Sequence, residues 1–502
     1  MTVPPPALVY LIGAGPGDPG LLTLRGRDLL ARADLVLYDY LADPRMLIHA
    51  RPGAELICLG RHGHGRLQGQ DEVNAQMIAA ARAGRVVARL KGGDSTIFGR
   101  LAEEVAALET ADIPYEVVPG VTAAAAASAY AGVPLTHRDA ASCVAFVTGR
   151  QSDDRTGDAL DLAALAQFPG TLVFYMGVTT APLWAPGLIA NGKPASTPVA
   201  IVRHASLPKQ WIKHTTLGEL TEELAPGKVR PPALVVVGEA VAAAGASAWF
   251  ARRPLFGKTV LVTRPAQQAD EFAARFEELG ASVLQQPAIA IGPPRDSRPL
   301  EDALARLAEF GWVVFSSANG VERFLAALQA SGRDLRALGP IKLATIGPAT
   351  TAALAAHGLQ ADVQPHEYRA EELAAALLTA ARAGQHFLLV RASRGRETLH
   401  DELTAAGGQV TQVVAYDSQD VPAPDADVAA QLRDGRIDWI TVTSSAIARS
   451  LVNMFGAELR RARLAAISPL TAGVLADAGY PATVVAAEYT AEGVAQAILA
   501  AV

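Results

Sequence analysis

Short apolar runs recur along this chain, each closed by a glycine- or proline-containing turn and followed by a stretch of helical periodicity. Val9-Tyr-Leu-Ile12, Val86-Val-Ala-Arg-Leu90, Leu172-Val-Phe-Tyr175, Val235-Val-Val237, Val260-Leu-Val262 and Phe387-Leu-Leu-Val390 are clear examples. Runs of this length bounded by turn signals read as buried strands, and their alternation with amphipathic helices predicts an α/β architecture. The pattern breaks near 249–254, after an alanine-rich helical stretch, and a fresh strand begins beyond Gly257. Two domains are therefore expected, at about 1–250 and 255–502. Pro119-Gly120 reads as a hinge that divides the first into lobes of about 7–119 and 120–250.

The second part repeats itself. The run from Gly257 to Arg264 is answered by that from Gly384 to Arg391, and Gly280-Ala-Ser-Val283 by Gly407-Gly-Gln-Val410. Val314-Phe-Ser-Ser317 pairs with Val442-Thr-Ser-Ser445, and Ile346-Gly-Pro-Ala-Thr350 with Ile467-Ser-Pro-Leu-Thr471. Matches in the same order predict two similar α/β lobes facing each other across a cleft.

Composition narrows the function classes. Half of the 502 residues are apolar and 19% are charged, as in ordinary globular proteins. No stretch reads as a roughly 20-residue spanning helix, and the 121–131 run is mostly alanine, so no membrane partner is expected. The start, Met1-Thr-Val-Pro-Pro-Pro6, lacks the basic and apolar regions of a signal peptide. Cys58 and Cys143 form neither a ligand cluster nor a disulfide framework, and His62 and His64 alone are weak evidence for zinc, so a reducing cytoplasm and no metal are expected. A net charge of −6 argues against nucleic acid as the partner. Basic residues nevertheless gather at 61–66, 85–91 and 391–396, which suits a polyanionic small molecule.

The first glycine loop excludes a nicotinamide enzyme. After Gly13 and Gly15, the dinucleotide fingerprint needs a third glycine leading into a helix, but Pro16-Gly17-Asp18-Pro19 intervenes and stiffens the turn. A second strand ends in Lys91-Gly-Gly-Asp94, where paired glycines admit close backbone approach and a carboxylate accepts hydrogen bonds. Pro119-Gly-Val-Thr122, the 134–139 block and Phe174-Tyr-Met-Gly177 follow.

At these blocks, over about 7–250, the chain resembles the uroporphyrinogen-III C-methyltransferases of the tetrapyrrole methylase family. The resemblance implies S-adenosylmethionine bound between two α/β lobes, a tetrapyrrole substrate and a homodimer. It carries cofactor contacts onto Pro16, Gly92, Gly93, Asp94, Ile97, Thr122, Ala123, Met176 and, where the family's Gly-Thr reads Ala205-Ser206, Ala205. The family's acidic catalytic residue falls on Asp39, and its basic one, usually lysine, on Arg61. A guanidinium pairs with carboxylates but, with a pKa above about 12, does not donate a proton, so anchoring is the role expected of Arg61. Arg25, Arg66, Arg89, Lys91 and Arg138 are further candidates to hold substrate carboxylates. Taken alone, Asp39 would more often cap a turn and Met176 more often fill a core.

Over about 255–502 the chain resembles uroporphyrinogen-III synthase, through Val262-Thr-Arg264, Ser316-Ser-Ala-Asn-Gly320, Ile346-Gly-Pro-Ala-Thr350, Tyr416 and Thr471. That resemblance implies closure of hydroxymethylbilane with inversion of the last pyrrole and no cofactor. Tyr416 matches a tyrosine held to assist loss of the hydroxyl. Substrate contacts are expected at Arg264, Ser316, Asn319, Thr350, Arg391, Ser444 and Thr471, where small hydroxyls and backbone amides at strand ends make neutral anion nests. Singly, each serine reads as a cap. Two alternatives stay open: a methyltransferase for a later corrin intermediate, and a second part that binds its ligand without turning it over.

Overall fold

The computed structural model describes residues 8–60, 68–149, 160–244, 249–382 and 384–502. The chain forms two compact units, 1–258 with 279–282 and 259–278 with 283–502. No helix among the described residues is long and apolar enough to cross a membrane.

The first unit holds two sheets. Strands Val9–Gly13 (β1), Leu35–Tyr38 (β2), Glu55–Cys58 (β3), Val87–Lys91 (β4) and Tyr115–Val118 (β5) lie in the order β3-β2-β4-β1-β5, every neighbouring pair parallel. Alternation sends Val9 and Leu11 to one core and Tyr10 and Ile12 to the other, so β1 is apolar throughout because helices cover both faces. Parallel strands put their carboxyl ends on one edge, and there the loops after β1, β2, β4 and β5 emerge together.

The second sheet contains Val144–Thr148 (β6), Thr171–Tyr175 (β7), Pro198–Arg203 (β8), Trp211–Thr216 (β9) and Ala233–Val237 (β10), in the order β6-β7-β10-β8-β9. Only β6 and β7 are parallel; the other pairs are antiparallel. Leu172 and Phe174 face one core, where Phe174 stacks on Trp184 at 3.8 Å, while Val173 faces the alanines of the helix Ala123–Ala131. Alanines let that helix lie close to the sheet.

The second unit also has two sheets. Its strands are Thr259–Val262 (β11), Ser282–Gln285 (β12), Ile289–Gly292 (β13), Trp312–Phe315 (β14), Lys342–Thr345 (β15), His386–Ala392 (β16), Gln409–Asp420 (β17), Trp439–Val442 (β18), Arg463–Ala466 (β19) and Val484–Val485 (β20). The orders are β12-β11-β18-β19-β20 and β13-β17-β16-β14-β15. Two similar lobes are present, but neither is one sequence repeat. The first repeat places β11 and β12 in one sheet and β13 to β15 in the other, and the second repeat does the reverse with β16, β17 and β18 to β20. The repeat alignment also shifts by one residue after β14 and β18. Ser317 caps the helix Ala318–Ala330, and Ser444, not Ser445, caps the helix Ser445–Phe455.

Candidate active site

Three glycine loops meet at the carboxyl edge of the first sheet. Gly15 and Gly93 exchange backbone hydrogen bonds of 3.0 and 2.7 Å, and Ala14 N donates to Lys91 O at 2.7 Å. A Cβ on Gly13 would stand 2.5 Å from Gly120 N, and one on Gly120 would stand 2.3 Å from Gly93 O. Gly120 is thus wedged between the other two loops, a tightly packed crossing into the second lobe and no loose hinge. Gly93 holds φ +70°, with nothing nearer a Cβ than Ala123 N at 3.9 Å, so its backbone lies open beside the start of the helix Ala123–Ala131.

The second lobe meets these loops through Tyr175. Tyr175, at the end of β7, lies with its hydroxyl 2.6 Å from the Thr122 hydroxyl and accepts from Ala124 N at 3.0 Å, tying β7 to the helix start. The next residue, Met176, adopts φ 53° and is 49% exposed, so its thioether is displayed and not packed in a core. Phe98, itself at φ 54°, brings its ring within 5.2 Å of Tyr175. The Asp94 carboxylate accepts from Thr96 N and from the Thr96 hydroxyl, both through Oδ1 at 2.8 Å, and Asp94 O accepts from Ile97 N at 3.2 Å. Pro16 is half-buried between Gly15 at φ 77° and Gly17 at φ 144°. Ala205 is buried between two left-handed residues, His204 and Ser206. The residues expected to touch the cofactor thus sit just beyond the ends of β1, β4, β5, β7 and β8.

Asp18, Tyr130 and Ser206 lock the first loop across the lobes, a role their sequence positions did not announce. Tyr130 donates to Asp18 Oδ2 at 2.8 Å, and Asp18 N donates to Ser206 Oγ at 3.1 Å. Burial first, then the Asp18 contact, pushes the Tyr130 phenol well above its ordinary value. The glycine-proline-aspartate spacing was the available signal.

Asp39 follows β2 and is one-third exposed, with Oδ1 2.6 Å from an Arg89 nitrogen. Arg89 and Lys91 correct an expectation, because neither reaches out for substrate. Both are buried on the face of β4 covered by the helices Gln70–Arg82 and Leu101–Thr110, paired with Glu104 at 3.1 and 2.7 Å. Burial, aided by the Arg89 charge, pulls the Lys91 ammonium below its usual value despite Glu104. Arg25 is held by Glu116 of β5 through bonds of 2.7 and 2.6 Å, and Arg138 is exposed. Arg61 and Arg66, with His62 and His64, lie outside the described residues. Among the described residues, no group of three or more His, Cys, Asp or Glu is placed to hold a metal ion.

In the second unit, Arg264 donates to Gln268 Oε1 at 2.8 Å and Gln268 donates to Asn319 Oδ1 at 2.8 Å, a chain from the end of β11 to the helix after β14. Burial lowers the Arg264 pKa, opposed by Glu271. Arg391 is occupied by Glu397 and the carbonyls of Ala392 and Gly395. Tyr416 is 6% exposed in a hydrophobic core, its hydroxyl 3.0 Å from Ser317 Oγ. Ser316 donates to Val390 O at 3.3 Å, and Ser444 accepts from Ile447 N at 3.1 Å as a helix cap. Thr350 and Thr471 are buried in the first turns of the helices Pro348–Ala356 and Pro469–Asp477.

Comparison with known proteins agrees with this division. The model of the tetrapyrrole (corrin/porphyrin) methylases matches residues 8–221, and that of uroporphyrinogen-III synthase HemD matches residues 270–496. The porphyrin biosynthesis protein HemD of Ruminiclostridium josui is 32% identical over 446 residues, 88% of this chain and 88% of that protein. A uroporphyrinogen-III C-methyltransferase of Bacillus subtilis is 37% identical over 332 residues, 66% of this chain and 68% of that protein. A siroheme synthase of Zymomonas mobilis is 48% identical over 245 residues, 49% of this chain and 51% of that protein. With a relative aligned along 88% of both chains and one family model on each half, this chain belongs to the tetrapyrrole methylases and the uroporphyrinogen-III synthases, a methyltransferase and a synthase fused in one polypeptide.

Proposed function

We propose that the second unit closes hydroxymethylbilane to uroporphyrinogen III with inversion of the last pyrrole, and that the first unit methylates this product at C-2 and C-7 to give precorrin-2. The observation that carries the methyltransferase reading is the interlocked set of loops at Gly13, Gly93 and Gly120, together with the displayed Met176 after β7. A wall made of backbone, into which no Cβ fits at Gly13 or Gly120, suits a ligand recognised by amides and carbonyls. Bound S-adenosylmethionine supplies a methyl group already activated on sulfur. The chain has to orient that methyl against an electron-rich ring carbon, exclude water, and meet the positive charge that appears on the ring. Asp39 is the residue we assign to that charge, and its carboxylate accepts the ring proton released once the carbon–carbon bond has formed.

In the second unit, loss of water and ring closure depend on folding the open chain so that its ends meet. Arg264 and Asn319 are the side chains we assign to its carboxylates, and buried Tyr416 acts through Ser317 at the end of β14. The siroheme synthase among the relatives supports siroheme as a destination of the product.

Mass spectrometry of the product formed from hydroxymethylbilane, after chromatographic separation of the isobaric isomers I and III, tests the whole sequence. Without S-adenosylmethionine the expected product is unmethylated uroporphyrinogen III, and with it a species two methyl groups heavier. Recovery of isomer I alone contradicts the synthase assignment. Methylation of a later corrin intermediate, but not of uroporphyrinogen III, contradicts the methyltransferase assignment.

A further inference from the structure

Below the open edge of the first sheet lies a set of charges that the reaction as described leaves unused. Arg89 and Lys91 are two residues apart on β4 and so share a face. Their side chains are 5% and 4% exposed, and Glu104 between them is fully buried. Glu104 Oε1 accepts from Arg89 Nε at 3.1 Å and from Gln70 at 3.2 Å, and pairs with Lys91 Nζ at 2.7 Å. Arg89 also donates to Leu90 O at 3.3 Å, and its remaining nitrogen reaches Asp39 Oδ1 at 2.6 Å.

Two cations and two carboxylates balance in this cluster, and of the four only Asp39 has substantial exposure. A buried guanidinium held by its own carboxylate and by a backbone carbonyl cannot swing away, which makes it a rigid donor. One oxygen of Asp39 is thereby tied in place. Among the described residues, Oδ2 accepts no hydrogen bond.

We propose that Arg89, locked by Glu104, is the positioning residue for Asp39, pinning Oδ1 so that Oδ2 is presented to the substrate. This rests on the reading of Asp39 as the residue that meets the ring cation. It gives the buried charges of β4 a task distinct from gripping substrate carboxylates.

The test is made on the full chain, with S-adenosylmethionine affinity from calorimetry and methyl transfer to uroporphyrinogen III from a labelled methyl group. Arg89→Met is expected to lower kcat about 10- to 100-fold, the scale of a lost charge-assisted hydrogen bond, while KM and cofactor affinity stay within about threefold. Arg89→Lys restores part of the loss, since it keeps the charge but not the fork. In an Asp39→Asn background, Arg89→Met costs no more than about twofold further, because the two residues act as one unit. An unchanged kcat in Arg89→Met, with Asp39→Asn inactive, overturns the proposal, and so do losses that multiply in the double variant. Normal turnover by Asp39→Asn instead removes the underlying reading of Asp39, and the proposal with it. Should Arg89→Met not fold, Arg89→Lys and Glu104→Gln carry the same test: kcat falls while cofactor affinity holds, and an unchanged kcat in both overturns it.

Discussion

At Gly120 one added carbon would meet Gly93 O at 2.3 Å and the carbonyl carbon of Gly13 at 2.8 Å, backbone atoms that cannot rotate away. Gly120→Ala is therefore expected to destabilise the first unit by about 2–3 kcal/mol and to abolish S-adenosylmethionine binding, both measurable by calorimetry. Gly473→Ala is the contrasting case, since its Cβ meets nothing within 4 Å in a helix, and a gain of about 0.5–1 kcal/mol is expected. Retained cofactor binding in Gly120→Ala would remove the loops from the site. His204 gives a pH prediction. Burial first, then Lys209 and Arg203, lowers its pKa from 6.5 to about 4. The folded state thus disfavours the proton that the unfolded state accepts, so the contribution is complete above the unfolded pKa near 6.5 and declines as pH falls toward 4. The urea midpoint should drop between pH 7 and 5, and drop less in His204→Asn, a residue that tolerates the φ of 51° found there. An equal drop in both proteins would discharge His204 from this role.

At the scale of elements, strands and helix starts were readable because their signals are local. Buried strands show as apolar runs, and helix starts as a small polar residue before a periodic stretch. The repeat was readable too, but its register was not, because Thr441-Val-Thr-Ser444 and Val314-Phe-Ser-Ser317 align equally well at two offsets. Cap geometry settles it: Ser444 accepts from Ile447 N, and Ser317 accepts from Gly320 N. Ser444→Ala should cost about 1 kcal/mol and Ser445→Ala less than half of that, read from paired denaturant melts. The reverse order would restore the alignment drawn from sequence. Arg89 and Lys91 went astray for a related reason. A basic residue on a strand resembles an anion anchor until the helix bearing Glu104 is known to lie over that face.

For the molecule as a whole, the exchange of strands between the two sheets of the synthase unit has a direct consequence. A fragment spanning residues 255–380 would keep β11 and β12 without their neighbour β18, and β14 and β15 without β16. Such a fragment should remain unfolded or associate, as seen by circular dichroism and size exclusion, although it contains one whole repeat. Cooperative folding of that fragment would contradict the exchanged topology. The amino-acid order alone determined the α/β class, the loop glycines and the two families, since these depend on near neighbours and short motifs. Tertiary structure decided which charges face solvent, which residues tie the first loop across the lobes, and which strands share a sheet. Those outcomes turn on contacts between residues far apart in the chain, such as the 188 positions separating Asp18 from Ser206, and no local pattern encodes which distant partner a side chain will meet.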